Sequence, residues 1–243
     1  MDKYCFGVDL GGTTVKIGLF SIEGQLQDKW EIPTRTENHG AEILSDIAAS
    51  IQSRMDTGHL SKEQVTGIGI GVPGPVLNEN IVQGCVNLGW GNVRVADELS
   101  ALTGLKVKAA NDANVAALGE QWQGGGKGFQ NLVMFTLGTG VGGGIIQNGR
   151  ISSGANGGAG EIGHMVIVDS DEVVGTCGCG HRGCLEQVAS ATGIVNLTEK
   201  KLAECSQDSV LREISPLTAK DVLDAAKAGD ALAEQAAENM MKQ

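Results

Sequence analysis

The stretch D-L-G-G-T-T-V-K, residues 9–16, decides the fold, because it is met again in design as L-G-T-G-V-G-G-G at 137–144. Tyr4 to Leu10 is apolar and β-rich and reads as a buried strand; Val15 to Phe20 reads as a second strand. A Gly-Thr turn between two short strands makes a hairpin whose backbone N–H groups and hydroxyls can cradle a phosphate. Asp9, at the end of the first strand, could hold a metal-bound water. A plain structural hairpin is the alternative for this first stretch taken alone. The second copy follows a strand over 131–137 and continues apolar through Ile145 to Gln147. One such hairpin in each half suggests two related α/β domains that together clamp a nucleotide's phosphates. Neither copy is a Walker loop, having no G-K-[ST], nor a dinucleotide fingerprint with its following helix. The glycine-rich Q-G-G-G-K-G-F-Q at 123–130 marks a boundary, giving domains 1–122 and 123–243.

Between the hairpins, Ile43, Ile47, Ile51 and Met55 recur at four-residue spacing, which predicts an amphipathic helix over 41–55. Residues 65–72 predict a glycine-laced strand that must leave its sheet at P-G-P, 73–75. A helix over 95–103 and a strand over 105–110 follow. Next comes N-D-A-N-V-A-A-L-G-E, 111–120. It puts Asn111 and Asp112 at the carboxyl end of a strand, where open α/β sheets receive ligands. Asp112 as a simple helix cap is the competing reading. Beyond Glu186 the pattern is helical, with Thr218 and Asp221 spaced as a capping box and a last helical run from Ala231 to Gln243.

The segment from Glu161 to Glu186 brings Cys177, Cys179 and Cys184 within eight residues, separated mainly by glycine, with His164 and His181 nearby. Clustered thiolates form a soft anionic pocket, and one imidazole would complete a tetrahedral zinc site. Buried free thiols would not need to cluster among glycines, and three cysteines leave one over for any disulfide. A closed site of this kind is structural, and it would position the carboxylates at the two ends of its loop.

With 243 residues the chain is long enough for a sizeable core and more than one domain. A net charge of -11 argues against a nucleic-acid surface. No apolar run reaches a membrane span, and the first strand starts at Tyr4 with no export signal before it. Reduced, metal-binding thiols then point to the cytoplasm.

The four motifs, 9–16, 111–120, 137–144 and C-G-C-G-H-R-G-C-L-E at 177–186, together resemble the ROK family of sugar kinases and repressors. The resemblance runs over essentially the whole chain from Tyr4. It implies a two-domain hexokinase/actin-like, ribonuclease H-like α/β fold with a cleft between the domains. It implies Asp112 as general base, and Gly74, Asn87, Asn111, Asp112, Glu161, His164 and Glu186 as sugar ligands. Asp9, Gly11, Gly12, Thr13 and Thr14, with Gly138, Thr139 and Gly140, would hold the phosphates of ATP with Mg2+. His164, Cys177, Cys179 and Cys184 would bind a structural Zn2+, with His164 serving sugar and metal together. The link from His164 to Cys177 is longer than the family's pattern, which makes His181 a rival ligand. Family members also continue past the length of this chain, and the resemblance places further βα units, adenosine-contacting glycines and a returning helix there.

The function so implied is ATP-dependent phosphorylation of a hexose, with glucose first because N-L-G-W at 87–90 and E-x-x-H at 161–164 are like those of bacterial glucokinases. N-acetylmannosamine, fructose and allose kinases are the alternatives, as is a non-catalytic sugar-binding protein. A sugar-responsive repressor would need an N-terminal DNA-binding domain before the first strand. A homo-oligomer, dimer or tetramer, with no nucleic-acid or membrane partner, completes the expectation.

Overall fold

β1 (Tyr4–Leu10) and β2 (Thr14–Ser21) pair as an antiparallel hairpin, with Asp9 opposite Lys16 and Leu10 opposite Val15. Its turn closes when Gly11 donates its N–H to the Thr14 carbonyl at 3.1 Å. Thr34 braces that turn from outside, its hydroxyl donating to the Gly11 carbonyl at 2.7 Å. β3 (Leu26–Pro33) adds to β2 antiparallel. The computed structural model describes residues 2–242.

Helix α1 (Ile43–Thr57) turns Ile43, Ile47, Ile51 and Met55 inward, as their spacing predicts. Ile47 and Ile51 are wholly buried, each contributing about 1.5–3 kcal/mol of hydrophobic stabilisation. β4 (Val65–Val72) follows, and the chain leaves it at 73–75 as expected. It then forms a small antiparallel sheet of β5 (Val76–Leu77), β6 (Ile81–Cys85) and β7 (Trp90–Arg94). Helix α2 (Val95–Thr103) leads to β8 (Val107–Asn111), which pairs parallel to β4. The main sheet thus runs β3-β2-β1-β4-β8. One of its faces carries Phe6, Val8, Ile17 and Ile70 into a core with α1 and α2.

The other face is bare along one line. Gly18, Gly7 and Gly69 are register partners on three adjacent strands. They form part of the floor of a cavity of about 1250 Å³ that is also lined by Asp9, Asn111 and Asn114.

Helix α3 (Asp112–Gln123) starts directly from β8, and β9 (Leu132–Leu137), β10 (Val141–Gln147) and β11 (Arg150–Ile151) form a further sheet in the order β11-β10-β9. The chain divides into two units, Met1–Val133 with Gly144–Gly160, and Met134–Gly143 with Glu161–Gln243. The glycine-rich 123–130 stretch, and with it the expected boundary after residue 122, lies inside the first unit. The chain passes between units within β9, within β10 and after Gly160.

The second unit is mainly helical: α4 (Leu185–Ala189), α5 (Ala191–Glu204), α6 (Ala219–Lys227) and α7 (Ala231–Met241). Ile194, Leu211, Val222, Leu232 and Ala233 form its core. The capping box at Thr218 and Asp221 is formed as its spacing predicts, each residue's side chain accepting the other's backbone N–H. α7 is capped by Asp230, which accepts the N–H groups of Leu232 and Ala233. The last residue of the expected terminal run, Gln243, lies outside the described residues. Among those residues no helix is long and apolar enough to cross a membrane.

Candidate functional site

In the first unit the site is built at the junction of β8 and α3. The capping residue of α3 is Asn111, not Asp112: the Asn111 Oδ1 accepts the Asn114 N–H at 3.1 Å. Asp112 opens the helix with its carboxylate accepting the Ala113 N–H at 2.7 Å. Desolvation pushes the Asp112 carboxyl above the ordinary Asp value although the residue is exposed to solvent. The negative charge of Asp9 adds to that rise, while the Ala113 N–H opposes it. Asp9 and Asp112 therefore sense each other across the sheet end. Lys16 stands 4.0 Å from Asp9.

Gly74 joins this group through its carbonyl, which accepts the Asn111 Nδ2 at 3.3 Å. Asn87 sits in the turn Val86–Leu88 and borders the first glycine turn, since a Cβ on Gly12 would lie 3.9 Å from its own. The first unit thus assembles Asp9, the 11–14 turn, Gly74, Asn87, Asn111 and Asp112 around the ends of β1, β4 and β8.

In the second unit the Gly138–Gly140 turn is held from two sides. The Gly138 carbonyl accepts the N–H of Ala191, the first residue of α5, at 2.8 Å. Glu186 accepts the Val141 N–H at 3.0 Å. The turn thus lies at the start of a fourteen-residue helix, whose dipole favours anions. A Cβ on Gly140 would overlap the Glu186 carboxylate and would displace it.

The same Glu186 meets the cysteines, its second oxygen accepting the Cys177 thiol at 3.7 Å. Cys177 Sγ lies 3.4 Å from His164 Nδ1, and Cys179 Sγ lies 3.6 Å from Cys184 Sγ. One donor atom from each of His164, Cys177, Cys179 and Cys184 lies within 4.8 Å of all the others. Tetrahedral ligands at the zinc–sulfur bond length would be about 3.8 Å apart, so this donor set fits such an ion. The other ring nitrogen of His164 faces away, 3.7 Å from Glu161.

The His181 ring lies 3.5 Å from Cys179 Sγ, and its carbonyl accepts the Cys177 N–H at 2.8 Å. Burial raises the Cys179 thiol's pKa, but hydrogen bonds from the His181 backbone and ring and from the other two cysteines bring it down to about 6. Cys184, buried and flanked by two sulfurs, is pushed up to about 12. The loop closes at Gly183, where φ is +86° and a Cβ would collide with the Val168 carbonyl.

Two contributors escaped the sequence reading. Gln187 accepts the N–H groups of Gly183 (2.9 Å) and Cys184 (3.3 Å) and donates to the carbonyls of Val174 and Gly175 (both 3.3 Å). Its spacing from Cys184 is that of a capping box, disguised because cysteine is an unusual cap. Asn114 is 3% exposed on α3 and touches both Asn111 and β10. The N-D-A-N spelling is its one signal.

A strand-to-helix junction that carries Asp112, together with two glycine turns between paired strands, belongs to a mixed α/β kinase of the actin-like fold. The sequence profile of the ROK family matches residues 5–243, and the chain belongs to that family. It is 44% identical over 236 residues to the glucokinase of Halalkalibacterium halodurans, covering 96% of this chain and 71% of that one. The glucokinase of Thermotoga maritima is 40% identical over 232 residues, covering 93% and 71%. A crystal structure of a ROK family glucokinase from Streptomyces griseus in complex with glucose and AMPPNP superposes with a TM-score of 0.71. It is 31% identical and covers 98% of this chain and 75% of that one.

Proposed function

We infer that this chain transfers the γ-phosphoryl group of ATP to a hexose, with glucose as acceptor. The observation that carries the reading is the Asp112 carboxylate, raised in pKa at the start of α3, in a chain 44% identical to a glucokinase. A sugar hydroxyl is a poor nucleophile until a base accepts its proton, and a carboxylate with a raised pKa is a stronger base than an ordinary one. Asp112 would take that proton as the phosphoryl group moves in line to the hydroxyl oxygen. Asn111, Gly74, Asn87, Glu161, His164 and Glu186 would fix which hydroxyl stands at the base.

The N–H groups and hydroxyls of Gly11, Gly12, Thr13 and Thr14, and those of Gly138, Thr139 and Gly140, would bind the phosphates. Mg2+ arriving with ATP would supply charge neutralisation, and Asp9 would hold water bound to it. His164, Cys177, Cys179 and Cys184 would hold a structural zinc ion, and the stiffened loop would aim Glu186 and His164. A homo-oligomer in the reducing cytoplasm suits six free cysteines, three of them in one cluster.

The test is a coupled ATP-dependent assay with glucose, N-acetylmannosamine, fructose and allose, with the phosphorylated carbon assigned by NMR. Glucose should be turned over with the highest kcat/KM and be phosphorylated on its primary hydroxyl. Binding of glucose without turnover would leave a non-catalytic sugar-binding protein and overturn the kinase reading.

A further inference from the structure

The chain turns through left-handed backbone at three consecutive residues, Asn38 (φ 50°), His39 (φ 60°) and Gly40 (φ 65°). Two of them carry side chains, and such a run persists only where its surroundings over-determine it. The Gly40 N–H donates to the Thr36 carbonyl at 3.2 Å. The Gly40 carbonyl accepts Nε1–H of the buried Trp90 at 3.2 Å, which uses the single donor an indole has. No side chain fits at Gly40, where a Cβ would stand 2.7 Å from both the Leu88 carbonyl oxygen and Trp90 Nε1.

The facing turn is built to match. Gly89 is itself left-handed, at φ 70°, and a Cβ on it would lie 3.0 Å from the His39 Cα. Residues 88–90 therefore rest against 39–40, and the exposed Asn87 sits directly before them in the turn Val86–Leu88. On another side Asn87 borders Gly12. The segment from Thr34 to Gly40 joins these two neighbours. At its start the Thr34 N–H donates to the Thr13 carbonyl at 2.9 Å and the Thr34 hydroxyl to that of Gly11 at 2.7 Å. At its end it holds Trp90.

We propose that Trp90 is a positioning residue: its bond to Gly40 seats the Val86–Leu88 turn on the left-handed bend and so fixes where Asn87 meets the sugar. This rests on the hexose reading and adds to it the device that holds one of its contacts. Neither Trp90 nor the 38–40 bend touches the ligand in this account.

The test is a double-mutant cycle read by equilibrium dialysis of the 243-residue chain with radiolabelled glucose. Trp90→Phe keeps an aromatic ring in the core and removes only the donor. Gly89→Ala disturbs the same seat from the other side and leaves Trp90 in place. Each should raise the glucose Kd roughly three- to tenfold. In an Asn87→Ala background each should change Kd by less than about twofold, because the group they position is gone. General damage to the fold would weaken glucose binding equally in both backgrounds.

Full effects that persist in Asn87→Ala overturn the positioning role, as do variants that bind glucose like the wild type. An Asn87→Ala protein with unchanged affinity removes Asn87 from the site and overturns this inference while leaving the kinase reading intact. If the wild type binds no glucose, the hexose reading fails and this inference fails with it.

Discussion

Glu186 accepts the backbone N–H of Val141 at 3.0 Å, so one side chain joins the Gly138–Gly140 turn to the cysteine cluster. Substituting Gly140 by alanine puts a methyl carbon 2.0 Å from that carboxylate and must displace it. Gly140→Ala should therefore reduce kcat/KM for glucose by at least about tenfold while the protein stays folded, because Gly140 lies in a turn and not in a core. Steady-state kinetics beside a thermal melt decide this, and unchanged kinetics would separate Glu186 from the turn.

Asp112→Asn keeps shape and removes basicity. kcat should fall by at least about 10²-fold with glucose affinity nearly unchanged. Stability should move the other way. Burial first, and Asp9 second, raise the folded-state pKa above the unfolded value. The carboxyl's contribution to stability is then fully present below the unfolded pKa and is lost as pH rises through the folded one. At neutral pH the asparagine variant should melt no lower than the wild type, and a clearly lower melting temperature contradicts the assignment.

Asp9→Asn tests the same carboxylate from a distance. Removing the Asp9 charge removes one cause of the rise, so the acid limb of the kcat/KM profile should shift to lower pH. The shift is read separately from any loss of rate. An acid limb that stays in place would mean that it reports another group.

Gln187→Ala should leave the cysteines present but poorly aimed, since the amide ties Gly183 and Cys184 to Val174 and Gly175. Zinc affinity, measured by competition with a chromogenic chelator, should fall by about 10–100-fold. Purified wild-type protein should carry one zinc per chain, and its absence under reducing, chelator-free conditions would remove the metal from the account.

Ser190 is wholly buried and caps α5 by accepting the Gly193 N–H at 2.9 Å. Ser190→Ala should cost about 1 kcal/mol of stability. It should also raise the KM for ATP more than that for glucose, because α5 begins at the Gly138 carbonyl. Equal changes in both constants would count against a phosphate-side role for this helix.

The two glycine-turn hairpins were legible because Val, Ile and Leu flank them so closely that no helix fits between. α1 was legible for the complementary reason, four apolar residues at one spacing. β3 was not. Its sequence L-Q-D-K-W-E-I-P is mostly exposed on an edge strand, and only Trp30 and Ile32 reach the core. The small sheet of β5 to β7 was hidden by strands as short as two residues. Asn111 and Asp112 are equally good caps by type, and the choice between them is made by backbone geometry that composition does not encode. Gln187 and Asn114 each make local contacts, but the ties of Gln187 to Val174 and Gly175 and of Asn114 to Ile145 span many residues, which no local pattern displays.

The bare line of Gly18, Gly7 and Gly69 offers a place to listen to the molecule without altering its core. A Cβ on Gly7 would meet the Phe20 ring at 3.3 Å, and one on Gly18 would overlap that ring at 2.6 Å, whereas one on Gly69 would find no heavy atom within 4 Å. Gly69 can therefore accept a cysteine, and a maleimide dye attached there would stand at the cavity floor. Its emission would report wetting or filling of that space in real time, from a position that carries no side chain of its own.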